Sequence, residues 1–391
     1  MNFRNVCLLA GLFSVAAGVT GTTAQEPLKI GFITTLSGPA GYLGQDVRDG
    51  FQLAVDMEDG KLGGTPVNLL IEDDGLKPTN GRQIADAFLN DDNVKLFTGL
   101  IFSNVAGTVV PEVVDAGAIM VSPNAGPSEF AGENCNANYF VVSWLTDTMQ
   151  GSAGQNATDL GYKRAFVLAP NYQAGKDAIQ GFKRYFEGEI VGEIYTKLDQ
   201  TDFAAEMAQI RAAEPDVVFQ FQPGGLGIAF TRQYQQAGLL GTIPMVVSEP
   251  SMDHAILKAV GDSAEGINVS GAWNTDLDNA ANKEFVAKFE ETYERTPTMY
   301  AAQGYDTARA IAAALKQTGG SVDDTEAFRT AMLKADFDSV RGYFEFGKNQ
   351  HPIQDWYAMT VAPGSDGGMT LKTRAKILER HGDPFAAECG L

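Results

Sequence analysis

Histidine, cysteine and tryptophan each occur only three times among the 391 residues, and that scarcity excludes much chemistry. His254, His351 and His381 stand far apart, without the spacing of a metal site. Asp276-Leu277-Asp278 resembles the opening of a calcium loop but lacks its central glycine and closing glutamate. There is no Gly-Lys-Ser/Thr phosphate loop, and Gly224-Gly225-Leu226-Gly227 stops short of a dinucleotide fingerprint. No Gly-x-Ser-x-Gly nucleophile elbow occurs. Neither catalysis nor a bound metal or cofactor is expected. Positive charge is also in deficit: 29 Lys and Arg face 49 Asp and Glu, a net charge of −20. Such a chain repels nucleic acid and anionic lipid.

Long apolar runs are missing too. Val6 to Val19, behind the lone positive charge of Arg4, falls short of the about 20 residues that span a bilayer. Small residues follow at Thr22-Thr23-Ala24, so residues 1–24 read as an export signal cleaved after Ala24, with an uncleaved anchor as the alternative. Cys7 lies inside the apolar run, well before that site. Export leaves Cys135 and Cys389. An even pair in an oxidising compartment suggests a disulfide; two free thiols are the alternative.

What the chain does have is apolar content, 44%, distributed as alternating short strands and amphipathic helices. Apolar runs at Leu28–Thr34, Val67–Glu72, Val94–Ile101, Ala118–Val121 and Tyr139–Val142 read as strands. Helical stripes separate them at Asp46–Glu58, Arg82–Leu89 and Val105–Val114. This alternation predicts a mostly parallel sheet covered on both faces. The rhythm restarts with strands at Ala165–Leu168, Ile190–Tyr195, Val217–Phe221 and Ile243–Val247, with helices between them, as a second unit of similar size. A third section holds a strand at Gly266–Trp273, helices at Lys283–Arg295, Met299–Thr318 and Glu326–Leu333, and a hairpin turn at Gly347–Gln350. Counting elements makes the chain cross between the units near residues 142–144, 269–273 and 347–355. The fold class is therefore α/β, with two doubly wound lobes. One lobe is expected from residues 27–143 with 273–347, the other from 144–272 with 348–391.

The stretch from Thr98 to Phe130 organises the binding proposal. Two successive parallel strands end in small polar loops at Ser103 and at Asn124-Ala125-Gly126, on the sheet edge where open α/β folds take ligands. Ser103 opens a helix, whose free N–H groups suit a carboxylate. Capping alone would also account for Ser103, and a turn for Asn124. Other strand-end candidates are Tyr42, Leu43 and Phe102 in the first unit and Tyr172, Gln222 and Glu249 in the second; Trp144 sits at a crossing. If the two sheets face one another, these converge on a cleft. Glu249 entering it would accept hydrogen bonds from an ammonium group.

The runs Lys29-Ile30-Gly31-Phe32, Leu36-Ser37-Gly38-Pro39, Asp73-Asp74, Ser122-Pro123 and Tyr300-Ala301-Ala302-Gln303-Gly304-Tyr305-Asp306, in this order, resemble the branched-chain amino-acid type of periplasmic solute-binding protein. The resemblance covers the whole mature chain. It implies the type I fold, two Rossmann-like lobes on a three-strand hinge, closing on a small carboxylate and delivering it to an inner-membrane ABC permease. A periplasmic monomer is implied. A ligand-binding sensory subunit reporting to a membrane receptor is the alternative. By this resemblance Ser103 and the loop Asn124-Ala125-Gly126 hold the ligand carboxylate, the loop also meets the amino group, and Glu249 pairs with the ammonium. The chain departs from the pattern in places. Gly126 stands where amino-acid binders often carry threonine, and a second-lobe aromatic near Pro223–Gly224 is missing. Leu76 and Phe102 stand at the positions of the leucine-type disulfide. Ala125 through Gly132, with Cys135, Tyr139-Phe140, Trp144 and Cys389, is similar to a subgroup that binds aromatic carboxylates. The solute is thus left open between an aliphatic amino acid and an aryl acid.

Overall fold

The first buried run, β1 (Leu28–Thr34), is apolar on both faces: Ile30, Phe32 and Ile33 are all fully buried. A strand of this kind belongs in the middle of a covered parallel sheet, and in the computed structural model it lies there. The structure describes residues 1, 26–365 and 367–391, so the export-signal reading lies outside the described residues. The first lobe is a six-stranded sheet in the order β2-β3-β1-β4-β5-β6. Its members are β1, β2 (Lys61–Leu62), β3 (Thr65–Asp73), β4 (Leu96–Thr98), β5 (Ile119–Ser122) and β6 (Tyr139–Val141). All pair in parallel except β2 with β3. Helices α1 (Gly41–Met57), α2 (Pro78–Asn90) and α3 (Ser103–Asp115) connect them. Helix α1 begins five residues before the sequence reading placed it, inside the Gly-rich loop.

The second lobe opens with α4 (Thr146–Asp159). Strands β7 (Arg164–Pro170), β8 (Glu189–Thr196), β9 (Val217–Gln220), β10 (Met245–Ser248) and β11 (Asn268–Gly271) follow, linked by α5 (Gln173–Tyr185), α6 (Ala204–Ala213), α7 (Gly225–Gln236) and α8 (His254–Val260). Helices α9 (Ala280–Tyr293), α10 (Met299–Thr318) and α11 (Thr325–Leu333) return to the first lobe. There α10 packs so tightly on α1 that a Cβ at Gly50 would sit 1.9 Å from the carbonyl oxygen of Ala301. Strands β12 (Phe344–Phe346), β13 (Pro352–Pro363) and β14 (Met369–His381) complete an eight-stranded second sheet, antiparallel at that end. Thus β12 pairs in the second sheet although a boundary at residue 347 assigned it to the first lobe. Its hairpin partner β13 draws it across, and Phe346 still packs edge-on against Phe140 of the first sheet.

Two fastenings hold the crossings. Buried Arg341 donates from Nη1 to the carbonyls of Val142 and Ser143 and to Gln354, and from Nε to Asp306 at 2.9 Å. One guanidinium thereby ties the first crossing, α10 and β13 together. Cys135 and Cys389 form a disulfide, their α-carbons 5.6 Å apart, and it clips the C-terminal tail to the loop before β6.

Candidate functional site

Strand ends of both lobes face one another across a small cavity. The first lobe contributes Leu43, Ile101, Phe102, Ser103, Asn124 and Ala125, with Tyr300 from the start of α10. The second contributes Thr146, Met149, Tyr172, Ala174, Phe221, Pro223 and Pro250; Trp144 stands at the crossing. The volume is about 30 Å³ as room for the centres of water-sized spheres, where one water needs about 10–15 Å³. The lobes are therefore nearly closed on each other.

Two properties decide what fits. Five of the lining side chains are aromatic: Phe102, Trp144, Tyr172, Phe221 and Tyr300. Phe221 stacks on Tyr172 with planes 10° apart, so the second lobe does supply an aromatic wall, two residues before the Pro223–Gly224 position. No lining side chain is charged. Positive potential comes instead from helix ends. Ser103 is the first residue of α3, Thr146 the first of α4, and Ala174 the second of α5, so three helix N-termini open onto one space. The Thr146 and Ala174 N–H groups are spent on Gly126 and Ser103, but the helix dipoles and the other first-turn N–H groups favour an anion.

Ser103 Oγ accepts a hydrogen bond from the Ala174 N–H at 2.9 Å, across the lobes. That leaves its hydroxyl proton to donate. Asn124 donates from Nδ2 to Gln303 at 2.7 Å, which fixes its amide. The backbone of Ala125 is fully used: its N–H donates to Leu100, and its carbonyl accepts from Ser122 and Tyr139. Its amide is therefore not available to a carboxylate. Gly126 lies behind the lining, where its carbonyl accepts from the Thr146 N–H at 2.8 Å. A Cβ there would stand 2.1 Å from the carbonyl oxygen of Trp144, so no threonine fits.

The remaining sequence candidates stand behind the wall. Tyr42 packs edge-on against Tyr300 and donates to Asp253 across the lobes at 2.7 Å. Gln222 donates to Thr196, and its backbone N–H donates to Ser251. Glu249 does not line the cavity. Its side chain lies over Gly271, whose added Cβ would meet Oε2 at 1.8 Å. Burial pushes its pKa well up, against the pull of the Trp273 and Ala272 N–H groups and of Arg341. Thr146, Met149, Phe221 and Tyr300 are lining residues that sequence reasoning did not name. Tyr300 carried a signal as the first residue of the Tyr300–Asp306 run, and Phe221 as the last residue of the strand Val217–Phe221; Thr146 and Met149 carried none.

Further contacts close the lobes. Ser128 donates from its N–H and Oγ to Asp177 at 3.0 and 2.6 Å, and Gln173 donates to the same carboxylate. Burial raises Asp177 to about 6 and Asp253 to about 7. Among the described residues no cluster of His, Cys, Asp and Glu is arranged to hold a metal ion, and no helix is long and apolar enough to cross a membrane.

The chain is 25% identical over 393 residues to the Leu/Ile/Val-binding protein homolog 6 of Brucella melitensis, covering 97% of this chain and 98% of that protein. It superposes with a TM-score of 0.89 and 28% identity on a solute-binding protein of an ABC transporter from R. palustris solved with benzoate, covering 94% of this chain and all of that one. A second such protein, from Rhodopseudomonas palustris BisB5 and solved with 3,4-dihydroxybenzoic acid, gives 0.84 and 26%, covering 92% and 99%. The profile of the periplasmic binding protein family matches residues 27–368. The chain belongs to that family.

Proposed function

We propose that this protein is the periplasmic receptor of an ABC importer for an aromatic carboxylate. The solute is captured between the lobes and passed to a membrane permease. One observation carries the choice of solute: the cavity is walled by five aromatic rings, faces three helix N-termini and holds no carboxylate. A ring stacks on such walls. Its acid group meets the Ser103 hydroxyl and the N–H groups at the start of α3. An amino acid brings an ammonium as well, and the acid that would pair with it, Glu249, is turned onto Gly271. A buried ammonium without an anionic partner is costly. Solved relatives bound to benzoate and to 3,4-dihydroxybenzoic acid support the same reading. Lobe closure excludes water and strengthens the polar contacts.

A thermal-shift screen of aromatic monocarboxylates beside leucine, isoleucine and valine tests it. A ligand bound only by the folded form raises the melting temperature. A shift with benzoate or a hydroxybenzoate and none with the three amino acids is expected. The reverse pattern would make the protein an amino-acid receptor.

A further inference from the structure

A second cavity lies at the same interlobe seam, and it shares two walls with the first. Phe102 and Pro223 line both. On the same measure its volume is about 310 Å³, about ten times that of the first. Both lobes build it: Pro39, Ala40 and Leu76 from the first, Leu198, Leu226 and Ala229 from the second. It therefore exists only in the closed arrangement, as the ligand cavity does. Its lining is largely apolar, with the acidic Asp199 and the amide of Gln200 among its polar members.

We infer that this cavity is an extension subsite for the distal apolar group of a longer aromatic monocarboxylate whose acid end occupies the first cavity. The inference rests on the aromatic-acid reading above. Three features select that occupant. The first cavity is about a tenth as large as the second, so the distal part of a longer solute must leave it. Phe102 and Pro223 are common to both linings, and Phe102 is the one of the two whose side chain can rotate. The apolar walls suit an alkyl or second aryl group, whereas Asp199 repels a second carboxylate. A group lying there touches both lobes and so adds to closure.

Calorimetric titration with benzoate and with 4-butylbenzoate tests this, using the wild-type protein, Ala229→Trp and Leu198→Trp. The indoles fill the second cavity and leave the first untouched. Leu198 sits in a partly exposed turn, so its variant keeps the test valid should Ala229→Trp fail to fold. The wild type is expected to bind 4-butylbenzoate at least about tenfold more tightly than benzoate, a modest part of what four buried carbons contribute. In a filled variant that folds, the preference should fall below about threefold while benzoate affinity stays unchanged. No preference in the wild type, or a preference that survives in every folded variant, overturns the subsite. Binding of neither acid by folded wild-type protein refutes the aromatic-acid reading itself, and the subsite with it.

Discussion

Ser103 is the residue on which the proposed recognition turns. Its oxygen accepts from the Ala174 N–H across the lobes, which leaves its proton for the acid group of the proposed solute. Ser103→Ala should weaken benzoate binding by about 1–3 kcal/mol, read as a loss of affinity in calorimetry with the folded variant. Unaltered affinity would remove Ser103 from the site. Asp253 carries a different prediction. Its carboxyl would ordinarily lose its proton near 4 but holds it to about 7, chiefly because it is buried. Between those values the folded form keeps a proton that the unfolded chain has lost. The resulting stabilisation is full below pH 4 and disappears as the pH rises through 7. The melting temperature should therefore fall from pH 5 to pH 8. Asp253→Asn, which keeps an oxygen for the Ala255 and Ile256 N–H groups, should fall less steeply. Asp46 and Asp177, both raised to about 6 by burial, act with the same sign and leave a residual slope. Identical slopes in the two proteins would contradict the account.

At the scale of the element, the parallel strands were legible as short apolar runs and most helices as stripes of helical period, whereas β2 and β14 went unread. Helix α4 also went unread. Its residues TDTMQGSAGQNATD carry no apolar stripe, yet nearly all are buried. Small residues replace large apolar ones there because the helix is pressed between α5 and the sheet: a Cβ at Gly154 would stand 2.3 Å from the Phe182 carbonyl oxygen. Ser152 turns its hydroxyl to Met149 and Ser270 instead of to solvent. With α4 unread, Thr146 and Met149 could not be placed at the site. Ser103, Asn124 and Tyr172 could, because strand ends are visible as apolar runs that stop at polar loops. Glu249 shows the limit of that logic. A strand-end position fixes where a side chain starts, and the space over Gly271 decides where it goes. The Asn124–Gly126 loop gives a third prediction. Gly126→Thr, the residue many amino-acid binders carry, must displace the Trp144 carbonyl. A loss of about 1–3 kcal/mol is expected from such overpacking, measured by denaturant unfolding, and no leucine binding should be gained. A stable variant that binds leucine would show the loop to be roomier than the structure has it.

At the scale of the whole molecule, two lobes meet on bonds donated across the seam, at Ser103, Ser128 and Tyr42, while Arg341 fixes the crossings. The chain is strongly acidic, with a net charge of −20, and the proposed solute is also an anion. Long-range attraction therefore cannot draw the solute in. Selection falls to the uncharged, aromatic interior and to the helix ends that face it. Direct titration of the folded protein with benzoate and with leucine measures that selection. Micromolar or tighter binding of benzoate, about 8 kcal/mol or more, with leucine at least a hundredfold weaker, is the predicted result. Tighter binding of leucine than of benzoate would contradict it.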